Sequence, residues 1–315
     1  MTPLTTPAPV PAAAQGPAAA MATHASSAIG AVINVATRKQ HTALNRSLVQ
    51  RLPLALPPHQ TNPLLFAKGI VPFASFFCLF ETEWDLLVRR LQQRASEDAT
   101  HDHDLHVWLA NLRPRGLARS SRFNHDLKHL RAVAGPNIYS TPDLEEEWTA
   151  QMRARIRSKP HILIAFAWVF YMATFAGGRW IRQQLATSGR DFWLTGSTIC
   201  QVADSEKPSL DVPGFSFLSF DGDQDGEDIK TLFKASLISG EPLLTADQQQ
   251  DIVDTAQQLF ERCNSLVGQL DRMAARERML GWVASIISVL VIFIVFLAWR
   301  TSYFLIIPNG PSGVF

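Results

Sequence analysis

The chain has almost no net charge, and that lack narrows its partners first. Its 29 Lys and Arg against 28 Asp and Glu leave a formal charge of +1 over 315 residues. A nucleic-acid binder usually gathers a basic excess on one face, so nucleic acid is not an expected partner. Cysteine is also scarce. Cys78, Cys200 and Cys263 are an odd number with no CxxC spacing, which predicts reduced thiols and not a disulfide framework. Lys and Arg are missing altogether before Arg38. A secretory signal needs a basic n-region and a transit peptide needs arginines, so residues 1–37 fit neither. Strand signals are thin: GFSFLSF (214–220) alternates but stands alone. Glycine-rich phosphate loops, dinucleotide fingerprints and Ser, Cys or Lys nucleophile motifs are absent too.

Helix is what remains. Residues 1–29 are Ala, Pro and Thr repeats with too little to bury to offset the entropy of ordering, so a disordered lead-in is expected there. Ile33, Thr37, His41, Leu44, Leu48 and Leu52 then recur every three or four residues, one inward stripe of a helix. Pro57, Pro58, Pro63 and Pro72 are expected to break the next stretch, with a long helix from Phe73 to about Arg94. Further helices are expected near 117–134, 143–158, 161–187, 227–238 and 246–272. The whole predicts an all-α single domain over residues 30–272.

From Met279 to Trp299 the chain runs 21 residues without a charge. At helical rise this is about 31 Å, the hydrocarbon thickness of a bilayer. Trp282 and Trp299 stand where interfacial aromatics belong. Arg272, Arg276 and Arg278 flank the near side and Arg300 alone the far side, so the positive-inside rule keeps the large domain cytosolic. A lone span followed by so short a tail (300–315) predicts a tail anchor, with the lipid bilayer as partner. Ile162–Gly178 is a second uncharged run. Gly177, Gly178 and the continuation into RWIRQQL favour a buried helix for it.

Three features suggest chemistry. His41 lies on an apolar helix stripe, where it is either a satisfied core histidine or a metal ligand. Asn45, one turn on, could accept its Nδ1 proton and leave Nε2 free for a metal. Gly177 and Gly178 cost a helix about 2 kcal/mol relative to alanine. They mark either a kink or a place where something flat approaches the backbone. Lys230 and Lys234 stand one turn apart, as a solvated face or as partners for two carboxylates of one ligand. Two other clusters carry less. DGDQDGEDIKTL (221–232) imitates a calcium loop through Asp221, Asp223, Asp225 and Gly226, but its twelfth position is Leu232 and not glutamate. His101, His103 and His106 match no zinc spacing.

Together these segments resemble the haem oxygenase family. ATRKQH resembles its proximal-helix motif, and the match implies that His41 is the haem-iron ligand. RSSRFNHDL (119–127) resembles its Arg-x-x-x-Leu-x-x-Asp-Leu segment, with Phe123 for leucine. KPHILIAFAWVFYMATFAGGRWI resembles the distal helix, which bends over the haem at its glycines. FSFLSFDGDQDGEDIKTLFKASL resembles the segment that supplies basic partners to the haem propionates. That match implies such roles for Lys230 and Lys234, with Arg38 at a basic position of the proximal helix. The hydrophobic tail is similar to that of membrane-bound members. The resemblance implies a haem oxygenase-like fold, haem b as cofactor and substrate, and its cleavage to biliverdin, carbon monoxide and iron. It further implies O₂, electrons from an NADPH–cytochrome P450 reductase, and the endoplasmic reticulum as the expected membrane.

Two positions depart from the pattern. The family's distal helix usually reads Gly-Asp-x-x-Gly-Gly, and its aspartate organises the water used for proton delivery. Here Ala173 and Thr174 hold the first two places. Asn45 replaces the acidic residue that commonly supports the proximal histidine. The alternative reading is therefore a non-catalytic haem-binding or haem-sensing protein of the same fold. A di-iron oxidase is a third reading, but it needs several facing carboxylates, and residues 161–178 hold none.

Overall fold

A computed structural model describes residues 28–93, 101–139, 146–194 and 213–306. Most of the expected lead-in, Cys200, the start of the helix expected from residue 143 and the last residues of the tail lie outside them. Among the described residues every regular element is helical. They are α1 (Ile29–Ala36), α2 (Arg38–Arg51), α3 (Leu64–Gln93), α4 (His101–Asn111) and α5 (Ser120–Ala134). Then come α6 (Glu146–Ser158), α7 (Pro160–Ala186), α8 (Glu227–Gly240) and α9 (Ala246–Ile306). The chain divides into two compact units, Met1–Leu266 and Val267–Phe315.

In the first unit α3 is the central helix, and its packing explains why a proline did not end it. Pro72 lies inside α3 and is buried. It removes one helical hydrogen bond, but the residues around it on α3 are apolar and enclosed: Val71, Ala74, Phe76, Phe77 and Phe80 are all at most 5% exposed. Burial of that much aromatic surface outweighs the local cost of about 3 kcal/mol. The helix expected from Phe73 thus begins at Leu64.

The core is an aromatic cluster shared by α3, α5 and α7. Phe77 meets Phe123 at 5.0 Å and Phe170 at 5.5 Å between ring centroids, and Phe80 meets Phe166 at 5.5 Å. Inside it sits one carboxylate. Glu81 of α3 accepts the Tyr171 hydroxyl at 2.8 Å, the Arg119 amide at 2.8 Å and the Ser120 amide at 2.9 Å. It thereby satisfies the otherwise orphaned donors that open α5. Burial and the facing Glu81 carboxylate push the Tyr171 phenol well above its ordinary value, so it stays protonated and donating.

The RSSRFNHDL segment holds the loop before α8. Asp126, fully buried, accepts the Gly214 and Phe217 amides at 3.0 and 2.8 Å. Phe123 stacks on Phe217 with centroids 4.0 Å apart. Arg119 donates to the Ser219 carbonyl at 2.6 Å and lies over the Phe220 ring. Burial brings the Arg119 guanidinium down to about 10, which leaves it charged at neutral pH. These anchors explain the one strand-like pattern. GFSFLSF forms a tight 3₁₀ turn at Ser216–Leu218, with alternate phenylalanines buried by Asp126 and Arg119 holding the backbone.

The two apolar runs fare differently. Of the α7 window, 72% is buried within the first unit, and Ile162 through Ala167 are fully enclosed. In the second unit the helix carries apolar side chains outward: Trp282 is 74% exposed, Val289 65% and Ile292 69%.

Candidate functional site

The site is assembled where α1, α7 and α8 meet, and the residue that joins them is Trp168. α7 departs from α-helical winding at Ala167–Tyr171, which forms a π turn. One extra residue in a turn shifts the phase of every later side chain on the helix, a device frequent at functional sites. Phe166, Phe170 and Tyr171 point into the core, whereas Trp168 is only half-buried. Its indole Nε1 donates to the Asn34 side-chain oxygen of α1 at 2.9 Å. Its ring presses against Gly30, where an added Cβ would lie 2.3 Å from the ring carbons. The Lys234 ammonium of α8 stands 5.9 Å from the ring centroid, a cation–π approach.

The residues expected from sequence divide around this juncture. His41 is exposed on α2, with its ring edge-on to Phe260 at 5.7 Å between centroids. No hydrogen bond to Asn45 is formed, so the expected support from that side chain is not made among the described residues. Instead α9 holds the backbone on both sides of the α1–α2 junction: Gln257 donates to the Ala36 carbonyl of α1 at 3.2 Å and Asn264 to the Gln40 carbonyl of α2 at 3.4 Å. The ring nitrogens are left for another partner. Arg38 is exposed one turn before His41, in a shallow groove of about 480 Å³ shared with Lys39 and Arg46.

Gly177 and Gly178 behave unlike each other. A Cβ at Gly178 would meet Leu218 at 3.3 Å, so packing within the protein accounts for that glycine. A Cβ at Gly177 would meet nothing within 4 Å. The fold itself does not require glycine there, yet the helix bears its cost of about 1 kcal/mol. The bend expected at this pair does not interrupt the helix, which continues from Met172 to Ala186; the irregular winding lies upstream at the π turn. Thr174 is 6% exposed and its hydroxyl donates to the Phe170 carbonyl at 3.0 Å.

Lys230 and Lys234, one turn apart on α8 and read as a solvated face or as carboxylate partners, differ in their surroundings. Lys230 bonds Glu227, one turn back, at 3.2 Å, and Glu227 also pairs with Arg179 of α7 at 2.8 Å. Lys234 is in no ion pair among the described residues. Asp225, which mimicked a calcium ligand, is bound by Arg182 through both oxygens at 2.9 and 2.5 Å. The Arg182 hydrogen bond holds its carboxyl below the usual range. Arg179 and Arg182 therefore clamp the end of α7 that lies beyond the glycines onto the start of α8. Among the described residues no group of three or more His, Cys, Asp or Glu is gathered that would hold a metal ion.

Asn34, Trp168 and Gly30 escaped the sequence reading. Asn34 lies about two helical turns before His41, a signal that was available. Nothing local marks Gly30 as the partner of an indole so far away in sequence.

The sequence and the fold both match known proteins. A sequence model described as heme oxygenase matches residues 81–269. The heme-binding protein HMX1 of Saccharomyces cerevisiae is 22% identical over 261 residues, covering 78% of this chain and 76% of that protein. Heme oxygenase 2 of Chlamydomonas reinhardtii superimposes with a TM-score of 0.57 at 19% identity, over 78% of this chain and 98% of that one. Heme oxygenase-2 of Synechocystis, solved with heme and NO, gives 0.55 at 14% identity, over 78% and 86%. The solved structures share the fold, the family pattern spans more than half of the sequence, and the chain belongs to the haem oxygenase family.

Proposed function

We propose that the chain binds haem b against α2 and α7 and oxidises it to biliverdin, carbon monoxide and iron. The observation that carries this reading is Gly177: a glycine on the mid-section of α7 that faces open space and answers to no packing need within the protein. A flat ligand close to the helix backbone supplies the missing reason. His41 fits as the iron ligand because its ring is exposed and unengaged by hydrogen bonds, on a helix whose Gln40 carbonyl is held by Asn264. Lys234 fits as a propionate partner because no carboxylate of the described residues neutralises it. Lys230 and Arg38 add positive charge, Lys230 through exchange of Glu227 for the ligand. Gly178 keeps α7 close to Leu218 and so sets the height of Gly177. When bound, haem supplies the redox chemistry with O₂. The protein's part is to hold the ring, exclude bulk water and deliver protons near Thr174.

Electrons come from an NADPH–cytochrome P450 reductase in this reading. Residues 279–299 anchor the chain in a membrane, the endoplasmic reticulum, with residues 30–272 on the cytosolic side. A helix with apolar side chains exposed over Met279–Ile294 has the surface of a lipid-facing element. The test is to mix the purified full-length chain with haemin, reductase and NADPH and follow the spectrum. A Soret band that gives way to biliverdin absorbance is the expected result. A second reading, haem binding without turnover, is favoured by one observation. Thr174 stands where the family carries aspartate, and its hydroxyl proton is already committed to Phe170. A stable Soret band under turnover conditions supports that reading, and no Soret change at all rejects both.

A further inference from the structure

A cleft of about 310 Å³ separates α3 from α5 and shares no residue with the α1–α7–α8 juncture. On α3 its wall is Val71, Ala74, Ser75 and Cys78. These positions follow the three-and-four spacing of one helix face. On α5 Leu127 completes an apolar floor, and Val71, Ala74 and Leu127 are all under 8% exposed. The two helices are otherwise tightly joined, since Phe77 and Phe123 touch across the same pair. The opening therefore comes from small side chains on an α3 face flanked by phenylalanines, and not from loose packing.

The rim has one sign. Lys128 and Arg131 line it, no acidic residue does, and neither cation belongs to an ion pair among the described residues. The Arg131 guanidinium stands 5.9 Å from the centroid of Tyr139, whose ring is 51% exposed at the cleft's end. We propose that this cleft is a second ligand site, for a compact carboxylate with a flat or branched apolar body. The body would lie on Val71, Ala74 and Leu127, and the carboxylate would meet Lys128 and the planar fork of Arg131. Ligand pockets run from roughly 300 to 1,000 Å³, so this one sits at the small end and does not accommodate a tetrapyrrole.

Cys78 on the cleft wall reports occupancy directly. The full-length protein, with and without haemin, is treated with N-ethylmaleimide in the presence of 2-naphthoate, and alkylation of the Cys78 peptide is followed by mass spectrometry. Naphthoate is expected to slow that alkylation by about tenfold at saturation, while neutral 2-naphthalenemethanol and cationic 2-naphthylmethylammonium do not. The Lys128→Ala/Arg131→Ala variant should need about tenfold more naphthoate, the loss expected for charge-assisted contacts worth about 1.4 kcal/mol. Both substitutions are at exposed positions, so folding is expected to survive, and circular dichroism checks it. Equal protection by all three probes overturns the anionic assignment. Protection retained in the double variant, abolished by haemin, or absent at millimolar naphthoate overturns the site.

Discussion

The Trp168 indole donates a 2.9 Å hydrogen bond to Asn34, tying the irregular turn of α7 to α1. Asn34 lies about two helical turns before His41, so the bond ties α7, one of the two helices proposed to face the haem, to α1, the helix that leads into the other. The same ring sits against Gly30 and beneath the Lys234 ammonium. One side chain thus sets the spacing of α1, α7 and α8.

Gly30→Ala should break that arrangement. The new methyl would stand 2.3 Å from the indole, so the ring must leave or α1 must shift, at a cost of about 1–3 kcal/mol. Asn34→Ala removes only a hydrogen bond at a partly wetted position, worth about 0.5–1.5 kcal/mol. Thermal denaturation should rank Gly30→Ala below Asn34→Ala, and haemin titration should show weaker binding in both. A Gly30→Ala protein that melts and binds haemin like the parent rejects the role of Trp168.

His41→Ala should lose the axial ligand and keep the fold. The ring is exposed and its aromatic contact is the edge of Phe260, so little buried area disappears with it. Electron-paramagnetic and Soret spectra of the haemin complex read the ligand, and circular dichroism reads the fold. A histidine signature that persists in the variant assigns the iron to another residue.

The helical class and the position of most helices were legible because apolar spacing is a local property. His41, Gly177 and Lys234 were legible as a set only through resemblance to a family. What the sequence concealed was long-range. Pro72 reads as a break, and only its burial with the apolar α3 residues around it shows why the helix persists. Lys230 and Lys234 look equivalent, although Glu227 three residues before Lys230 was a visible hint that one is engaged. Arg119 and Asp126 could be quoted as a motif, but their task is to hold the 214–220 backbone, which exists only after folding. Trp168 was hidden because its phase depends on a π turn that no periodicity announces.

The clamp of Arg182 on Asp225 has a defined pH window. Asp225's pKa is lowered in the folded protein, chiefly by the Arg182 hydrogen bond. Its stabilisation is therefore complete above the unfolded carboxyl value of about 3.9 and lost as pH falls through the lower folded value. With Asp225 35% exposed, solvent screening keeps the contribution to about 1 kcal/mol. Arg182→Ala should be less stable than the parent at pH 7 in urea titrations, and the gap should close below about pH 4. A gap that is constant down to pH 2.5 assigns the loss to packing of the arginine stem.

If residues 279–299 form the proposed anchor, the full chain is membrane-integral. It should resist carbonate extraction, with protease reaching the folded domain from the cytosolic side. Replacing Val289 and Ile292, 65% and 69% exposed, by arginine should cost about 2.5–3.5 kcal/mol each on the insertion scale and shift the chain toward the soluble fraction. Parent protein recovered in the carbonate supernatant sinks the anchor.

On the proposed function, Thr174 is the position where turnover and mere binding part. Its hydroxyl spends its proton on the Phe170 carbonyl, at 3.0 Å, and keeps only lone pairs for a neighbouring water. General acid catalysis needs a positioned group within hydrogen-bond reach of the proton's destination, and a threonine in this state positions water without adding charge. Slow turnover is expected, with part of the electron supply diverted from ring cleavage. Thr174→Ala should lower the biliverdin formed per NADPH consumed while leaving haemin affinity unchanged, since a back-bonded hydroxyl adds little to helix stability. Thr174→Asp should raise that yield despite the strain of a carboxylate in a site only 6% exposed, and its thermal midpoint should fall. If the alanine variant cleaves haem as well as the parent, the proton path does not pass through residue 174. If neither parent nor aspartate variant forms biliverdin with a competent reductase, a protein that binds haem without degrading it becomes the better account of this fold.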